Sequence, residues 1–141
     1  MLMLGEISEN NGDLAKAQAW QLKAIEEASP RVMSGLGWLM FVQGDLEAAE
    51  TWWEQSSGAN DTVGTYLLGY FKIDIGDEEE GELLLLQAAS KGVEQAMVAL
   101  GDIASRRSEP QEAESWFLKA ADVGDAGAML KLGVLLLNRG D

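Results

Sequence analysis

The side chains in this sequence that could do chemistry are its carboxylates. Asp74, Asp77, Glu78, Glu79, Glu80 and Glu82 crowd nine positions, the kind of density that could hold a hard cation or supply a paired acid and base. Calcium requires ligands at alternating loop positions closed by a bidentate glutamate, and this run lacks that spacing. Consecutive carboxylates on a helix also point in different directions. For a glycosidase-like pair, nothing in the sequence raises the pKa of one partner or builds a sugar cleft. The run therefore reads as the acidic opening turn of a helix, where the positive end of the dipole favours it.

The remaining chemistry is narrowed by what the chain omits. Its 141 residues contain no histidine and no cysteine, so it has no imidazole base, thiolate nucleophile, disulfide or Cys/His zinc site. No catalytic residue, cofactor or metal site is assigned, and an enzyme is not expected. Twenty-four acidic against 10 basic residues give a net charge of -14, which repels phosphate backbones and anionic lipid and favours basic partners. Neither nucleic acid nor membrane is expected as a partner. The opening Met1-Leu2-Met3-Leu4 lacks the basic start and apolar run of a signal peptide, and no apolar run approaches the ~20 residues of a spanning helix. A cytoplasmic protein is the expectation.

Positive information comes from recurrence. Leu-Gly occurs at Leu4-Gly5, Leu36-Gly37, Leu68-Gly69, Leu100-Gly101 and Leu132-Gly133, always 32 positions on, and Gly-Asp keeps the same step at Gly12, Gly44, Gly76 and Gly140, with Ser108-Glu109 in the remaining slot. Such a period marks an array of helical pairs, each burying its apolar face against its neighbours. The pattern predicts helices at about 1 to 10, 13 to 28, 31 to 43, 45 to 57, 61 to 75, 77 to 91, 94 to 107, 110 to 122 and 126 to 139. At each Gly-Asp turn the glycine can close one helix in the left-handed conformation, and Asp13, Asp45 or Asp77 can cap the next. The mid-helix glycines need a reason, since each costs ~1 kcal/mol. Small residues at Ala17, Ala49, Gly81 and Ala113, twelve positions on, point to close helix approach, and Trp20, Trp52, Leu84 and Trp116 would fill the space between repeats.

The succession of Leu-Gly glycine, small residue, aromatic (Trp53 or Phe117) and alanine (Ala88 or Ala120) resembles the tetratricopeptide repeat. The stretches Lys119-Ala120-Ala121, Gly124, Ala128, Leu132-Gly133 and Ala88-Ala89, Gly92, Ala96, Leu100-Gly101 resemble the related SEL-like repeat. The period is two short of the usual tetratricopeptide length of about 34. The resemblance implies an all-α, right-handed α-solenoid of antiparallel helix pairs with a 32-residue period. It would form a single domain over 1–141, four pairs plus one extra C-terminal helix, resembling part of a longer array.

It also implies a scaffold that holds a peptide or protein in a groove lined by the first helices. Carried over, the groove slots fall on Leu2, Glu6, Glu9 and Asn10; on Ser34, Trp38, Phe41 and Val42; on Tyr66, Tyr70, Ile73 and Asp74; and on Val98, Asp102, Ser105 and Arg106. Trp38, Phe41, Tyr66, Tyr70, Ile73 and Asp74 are the candidate partner-binding residues, suited to a basic, amphipathic segment. The Asn and Lys pattern with which some tetratricopeptide domains hold a C-terminal carboxylate is not matched, since Ser34, Trp38 and Val42 occupy its slots. The alternative is that this apolar surface is consumed by packing or oligomerisation. Met129, Leu132, Leu135 and Leu136 of the last helix are the candidate contacts of a homodimer formed through the terminal helices.

Overall fold

A computed structural model describes residues 14 to 140 except Ala28, and shows helices with no strand among them. The helices are α1 (Leu14–Glu26), α2 (Pro30–Val42), α3 (Leu46–Gly58), α4 (Thr62–Asp74), α5 (Glu78–Ser90), α6 (Glu94–Arg106), α7 (Pro110–Asp122) and α8 (Ala126–Asn138). Each has 13 residues. Their starts advance by a constant 16 (30 minus 14, 46 minus 30, and so on), so two helices make the 32-residue repeat. The expected helix at 1 to 10, the cap Asp13 and the groove slots Leu2, Glu6, Glu9 and Asn10 lie outside the described residues.

One turn, used throughout, produces this uniformity. After α2, Gly44 takes a left-handed φ of 88°, its N–H donates to the Phe41 carbonyl at 3.0 Å, and the Asp45 N–H donates to the Met40 carbonyl at 2.9 Å. These are the two bonds of a Schellman motif. The same pair closes α3 to α7, with Asn60, Gly76, Gly92, Ser108 and Gly124 in the left-handed position. The residue that accepts the second role, Asp45, Asp61, Asp77, Val93, Glu109 or Asp125, is at once the end of one motif and the start of the next helix. Sequence reading saw this only at the Gly-Asp turns; the turns between repeats are the same. Asn60 and Ser108 adopt positive φ without being glycine, at 66° and 57°, and asparagine is among the few residues that do so readily.

The caps differ in part from expectation. Asp45, Asp61 and Asp125 accept from the amides of Ala48, Gly64 and Ala128 at 3.1, 2.9 and 2.9 Å. Asp77 makes no such bond, and the three glutamates that follow it supply the negative charge that the helix start prefers.

The chain divides into two compact units, one up to Gly64 and one from Thr65 on. In the first, Leu36, Leu39, Ala49 and Trp53 are buried. The Trp53 indole N–H donates to the Ser34 carbonyl at 3.1 Å. Ser56, fully buried, sets its hydroxyl 2.8 Å from the Pro30 carbonyl and 3.0 Å from Asp61 Oδ2, which joins the start of α2 to the end of α3. In the second unit, Leu85, Ala88, Ala89, Ala96, Met97, Leu100, Ile103, Ala120 and Ala128 form one core, with Tyr66, Ile73 and Trp116 packed on it. Ala104, Ala113 and Phe117 form another, covered by Leu132 and Leu135.

The reason for the mid-helix glycines is sharper than small facing small. Small residues do meet at Gly69 and Gly81, where a Cβ on Gly81 would come within 2.7 Å of the Gly69 carbonyl oxygen. At Gly37 and Gly101 the glycine instead makes room for an aromatic ring lying on the helix backbone, that of Trp53 and of Phe117 respectively.

Candidate partner-binding face

In the second unit, α4 and α6 present residues at helical spacing to a shared cavity of about 440 Å³. Its walls are Tyr70, Ile73 and Asp74 from α4, Leu85 from α5, and Ala99, Asp102, Ile103, Ser105 and Arg106 from α6. Three of the sequence-expected groove residues on α4 thus stand together with three on α6. Tyr70 is 55 % exposed, and its ring centroid lies 6.1 Å from that of Tyr66. Tyr66 has turned towards the core instead. Burial, and then the neighbouring Tyr70, push its phenol above the ordinary value of 10.0.

A wider cleft of about 760 Å³ continues on the next pair of first helices, α6 and α8. Asp102 and Ser105 line it as they line the first, and α8 contributes Leu130, Lys131, Val134, Leu135 and Asn138. Lys131 Nζ donates to Asp102 Oδ1 at 2.9 Å across the α6 to α8 gap. Sequence reasoning missed the α8 contribution. The signal is present in the sequence, because Leu130, Val134 and Asn138 follow Val98, Asp102 and Arg106 by the repeat step, but the sequence reading assigns the last helix to pairing alone.

The first unit carries its own aromatic pair. Trp38 is 53 % exposed and stacks on Phe41 with centroids 5.5 Å apart, and Phe41 in turn lies 6.0 Å from the buried Trp53 ring. Phe41 therefore fastens the exposed indole to the core. Ser34, expected in the groove, is buried instead, its hydroxyl donating to the Arg31 carbonyl at 2.9 Å. Trp38 and Phe41 belong to one unit and Tyr66, Tyr70, Ile73 and Asp74 to the other.

The residues expected to mediate pairing through α8 behave differently from one another. Met129 is exposed and Leu136 half-buried, whereas Leu132 and Leu135 turn inward onto Ala104, Ala113 and Phe117. Exposed apolar surface on α8 is held by Met129, Leu130, Val134 and Leu137.

The acidic run proves to be partly an ion-pair clip. Arg107, at the end of α6, reaches Glu82 at 3.1 Å and Glu78 at 3.4 Å, and Lys72 lies 3.7 Å from Glu80. The Glu82 hydrogen bond and charge hold the Arg107 guanidinium above its ordinary pKa. One repeat on, Arg139 meets Glu114 at 2.7 Å, the same pair displaced by 32. Near the Arg107–Glu82 pair, the Glu112 carboxyl is raised above 4.5, first because its protonated form hydrogen-bonds to Glu109 and then by the Glu109 charge. Among the described residues no group of three or more carboxylates is placed to hold a metal ion, and no helix is long and apolar enough to cross a membrane.

Sequence models of the tetratricopeptide repeat match residues 1–29 and 30–55. No curated protein matches the sequence. Among solved structures, a Sel1 repeat protein from Oxalobacter formigenes superposes over 100 % of this chain and 62 % of its own length, at 24 % identity and a TM-score of 0.73. The pilF protein of Pseudomonas aeruginosa superposes over 98 % of this chain and 67 % of its own, at 18 % identity and 0.74. A protective antigen of uropathogenic Escherichia coli displaying an SLR fold does so over 97 % and 33 %, at 24 % identity and 0.72. The chain thus spans under two thirds of the length of two of these three structures. At such identities the likeness establishes the fold.

Proposed function

Starting from a helical-repeat protein of the tetratricopeptide and Sel1-like kind, we propose that this chain binds a basic, amphipathic peptide or protein segment along the face of its first helices. Repeats of this kind generally serve as protein–protein interaction scaffolds. The observation that carries the finer reading is the cavity between α4 and α6, where the exposed Tyr70 ring stands beside Asp74 and Asp102. An aromatic edge next to carboxylates is suited to a side chain with an apolar stem and a cationic head. The net charge of -14 draws such a segment in and repels nucleic acid and anionic membrane. The role assigned is a non-catalytic scaffold in the cytoplasm.

Selection from a random peptide library tests this. Selected peptides should be enriched in Lys and Arg flanking an apolar residue, should bind more weakly as salt rises, and should lose affinity to Tyr70→Ala and to Asp74→Lys. Peptides without basic enrichment, or indifferent to both substitutions, would refute it. A second reading, self-association through α8, is favoured by the exposure of Leu130 and Leu137. A solution mass that stays near 15.2 kDa across a concentration series would rule it out.

A further inference from the structure

The two cavities on the first-helix face are successive copies of one site. Leu85 and Ile103, which line the cavity between α4 and α6, are matched 32 positions on by Phe117 and Leu135 of the cleft between α6 and α8. Tyr70 and Ile73 are matched in the same way by Asp102 and Ser105, which line both. The cleft therefore lies between two neighbouring first helices, as its counterpart does. In it, α8 supplies the wall that α6 supplies one repeat earlier.

The shared frame carries different chemistry in its two copies. Where the α4 to α6 cavity has Ala99, Asp102 and Arg106, the α6 to α8 cleft has Lys131, Val134 and Asn138. In the first, two carboxylates, Asp74 and Asp102, and the Tyr70 ring outweigh one guanidinium, so a cationic side chain is favoured. In the cleft the charged residues are Asp102 and Lys131, and they cancel, with Nζ 2.9 Å from Oδ1. Pro110, Phe117, Val134 and Leu135 make the rest of that lining apolar, and a charge placed there would lose water without gaining a partner. Lys131 sets this difference, because its counterpart Ala99 carries no charge.

The distance between the two copies is the width of α6, about 8–10 Å between the axes of packed helices. A segment in the polyproline II conformation returns a side chain to the same face every third residue, after a rise of about 9 Å. An α-helix laid across the same face would need about seven residues to cover it.

We infer that the two cavities bind one extended segment of a partner protein, a Lys or Arg entering the α4 to α6 cavity and a large apolar residue three positions away entering the α6 to α8 cleft, with Lys131 as the residue that makes the cleft refuse a second cation. This rests on the groove function proposed above and adds to it the spacing, the conformation of the bound segment and a specificity-determining residue.

The test uses the full chain and fluorescent, end-capped Gly/Ser peptides carrying one Lys and one Leu, separated by one to seven positions in both orders, with binding read by anisotropy. Affinity should peak at a separation of three, at least about tenfold above the same peptide with Ser in place of Leu, as for the loss of an anchor. The parent chain should likewise prefer Leu to a second Lys at that position by about tenfold, and Lys131→Ala, which leaves Asp102 uncompensated, should abolish or reverse the preference. Val134→Asp should do the same from the opposite wall. Both side chains are exposed, so circular dichroism should show the fold retained. Lysine peptides that bind and respond to Tyr70→Ala, yet are indifferent to the position of Leu or to Lys131→Ala, overturn this inference and leave the groove function standing. A peak at seven overturns the extended conformation, and failure of every lysine peptide to bind overturns the groove function as well.

Discussion

Substituting alanine at two glycines that occupy the same repeat slot should have opposite effects. Gly101 and Gly133 both sit in the middle of a 13-residue helix, so each substitution gains the same ~1 kcal/mol of helix propensity. At Gly133 nothing opposes it, and the variant should be about 1 kcal/mol more stable than the parent. At Gly101 the new Cβ would lie 2.6 Å from Phe117 Cδ1 and 2.9 Å from Cζ, about 1 Å inside ordinary carbon contact. The ring has nowhere to go, being 3 % exposed and held by Ala104, Ala113, Leu132 and Leu135. Overpacking of that kind costs ~1–3 kcal/mol, leaving Gly101→Ala between roughly neutral and 2 kcal/mol destabilised. Because the propensity gain is common to both, the difference between the variants isolates the steric term, about 1–3 kcal/mol. Urea unfolding followed by far-UV circular dichroism measures it. Equal stabilisation by both substitutions would show that no ring lies on Gly101 and would refute the account of why this helix carries a glycine.

Two further expectations concern single side chains. Ser56→Ala removes a fully buried hydroxyl whose single proton serves one of two part-buried oxygens, the Pro30 carbonyl or Asp61 Oδ2, and should cost ~1–3 kcal/mol, whereas Ser90→Ala, which removes only an exposed bond to the Gln87 carbonyl, should be close to neutral; equal costs in urea unfolding would contradict the role given to Ser56. Tyr66 has its phenol raised above 10.0 by burial first and Tyr70 second, so the folded state retains the proton longer than the unfolded one, and the stability it supplies is present below 10.0 and lost as pH rises through the raised value. Tyr66→Phe should flatten that alkaline loss in thermal unfolding at a series of pH values, and an unchanged slope would count against the burial assigned to this ring.

Much of the architecture was legible because it depends on residues whose role is local. Gly44, Gly76 and the aspartates after them mark turns by backbone chemistry alone, so the helix bounds expected from 30 onward fall close to those observed. The half-step of 16 is hidden because the turns between repeats perform the same backbone task with different residues, Asn60 at one and Gly92 at the next, and the residue after them need not be Asp. What covers a glycine was not legible either. That Trp53 and Phe117 lie on Gly37 and Gly101 depends on side-chain direction across two helices, which spacing alone does not fix. On the candidate face, the repeat step located Tyr70, Ile73 and Asp74 beside Asp102, Ser105 and Arg106. It did not reveal that Tyr66 and Ser34 face inward, because those positions border both surfaces and their neighbours' bulk decides between them.

The three-residue turn has a further consequence, for the order in which the chain acquires its structure. Since every helix is followed at once by its packing partner, tertiary contacts form between segments close in sequence. Of the tertiary hydrogen bonds described above, the longest-range, from Arg107 to Glu78 and from Lys131 to Asp102, join residues 29 apart. Loop closure is therefore brief and entropically inexpensive at every step, and low contact order of this kind goes with rapid folding. A helix pair can nucleate at any position in the array and recruit its neighbours one at a time. The same locality makes unfolding piecemeal: a lesion at Gly101 should loosen α6 and α7 first, and amide exchange would register it there before it reached α2 and α3.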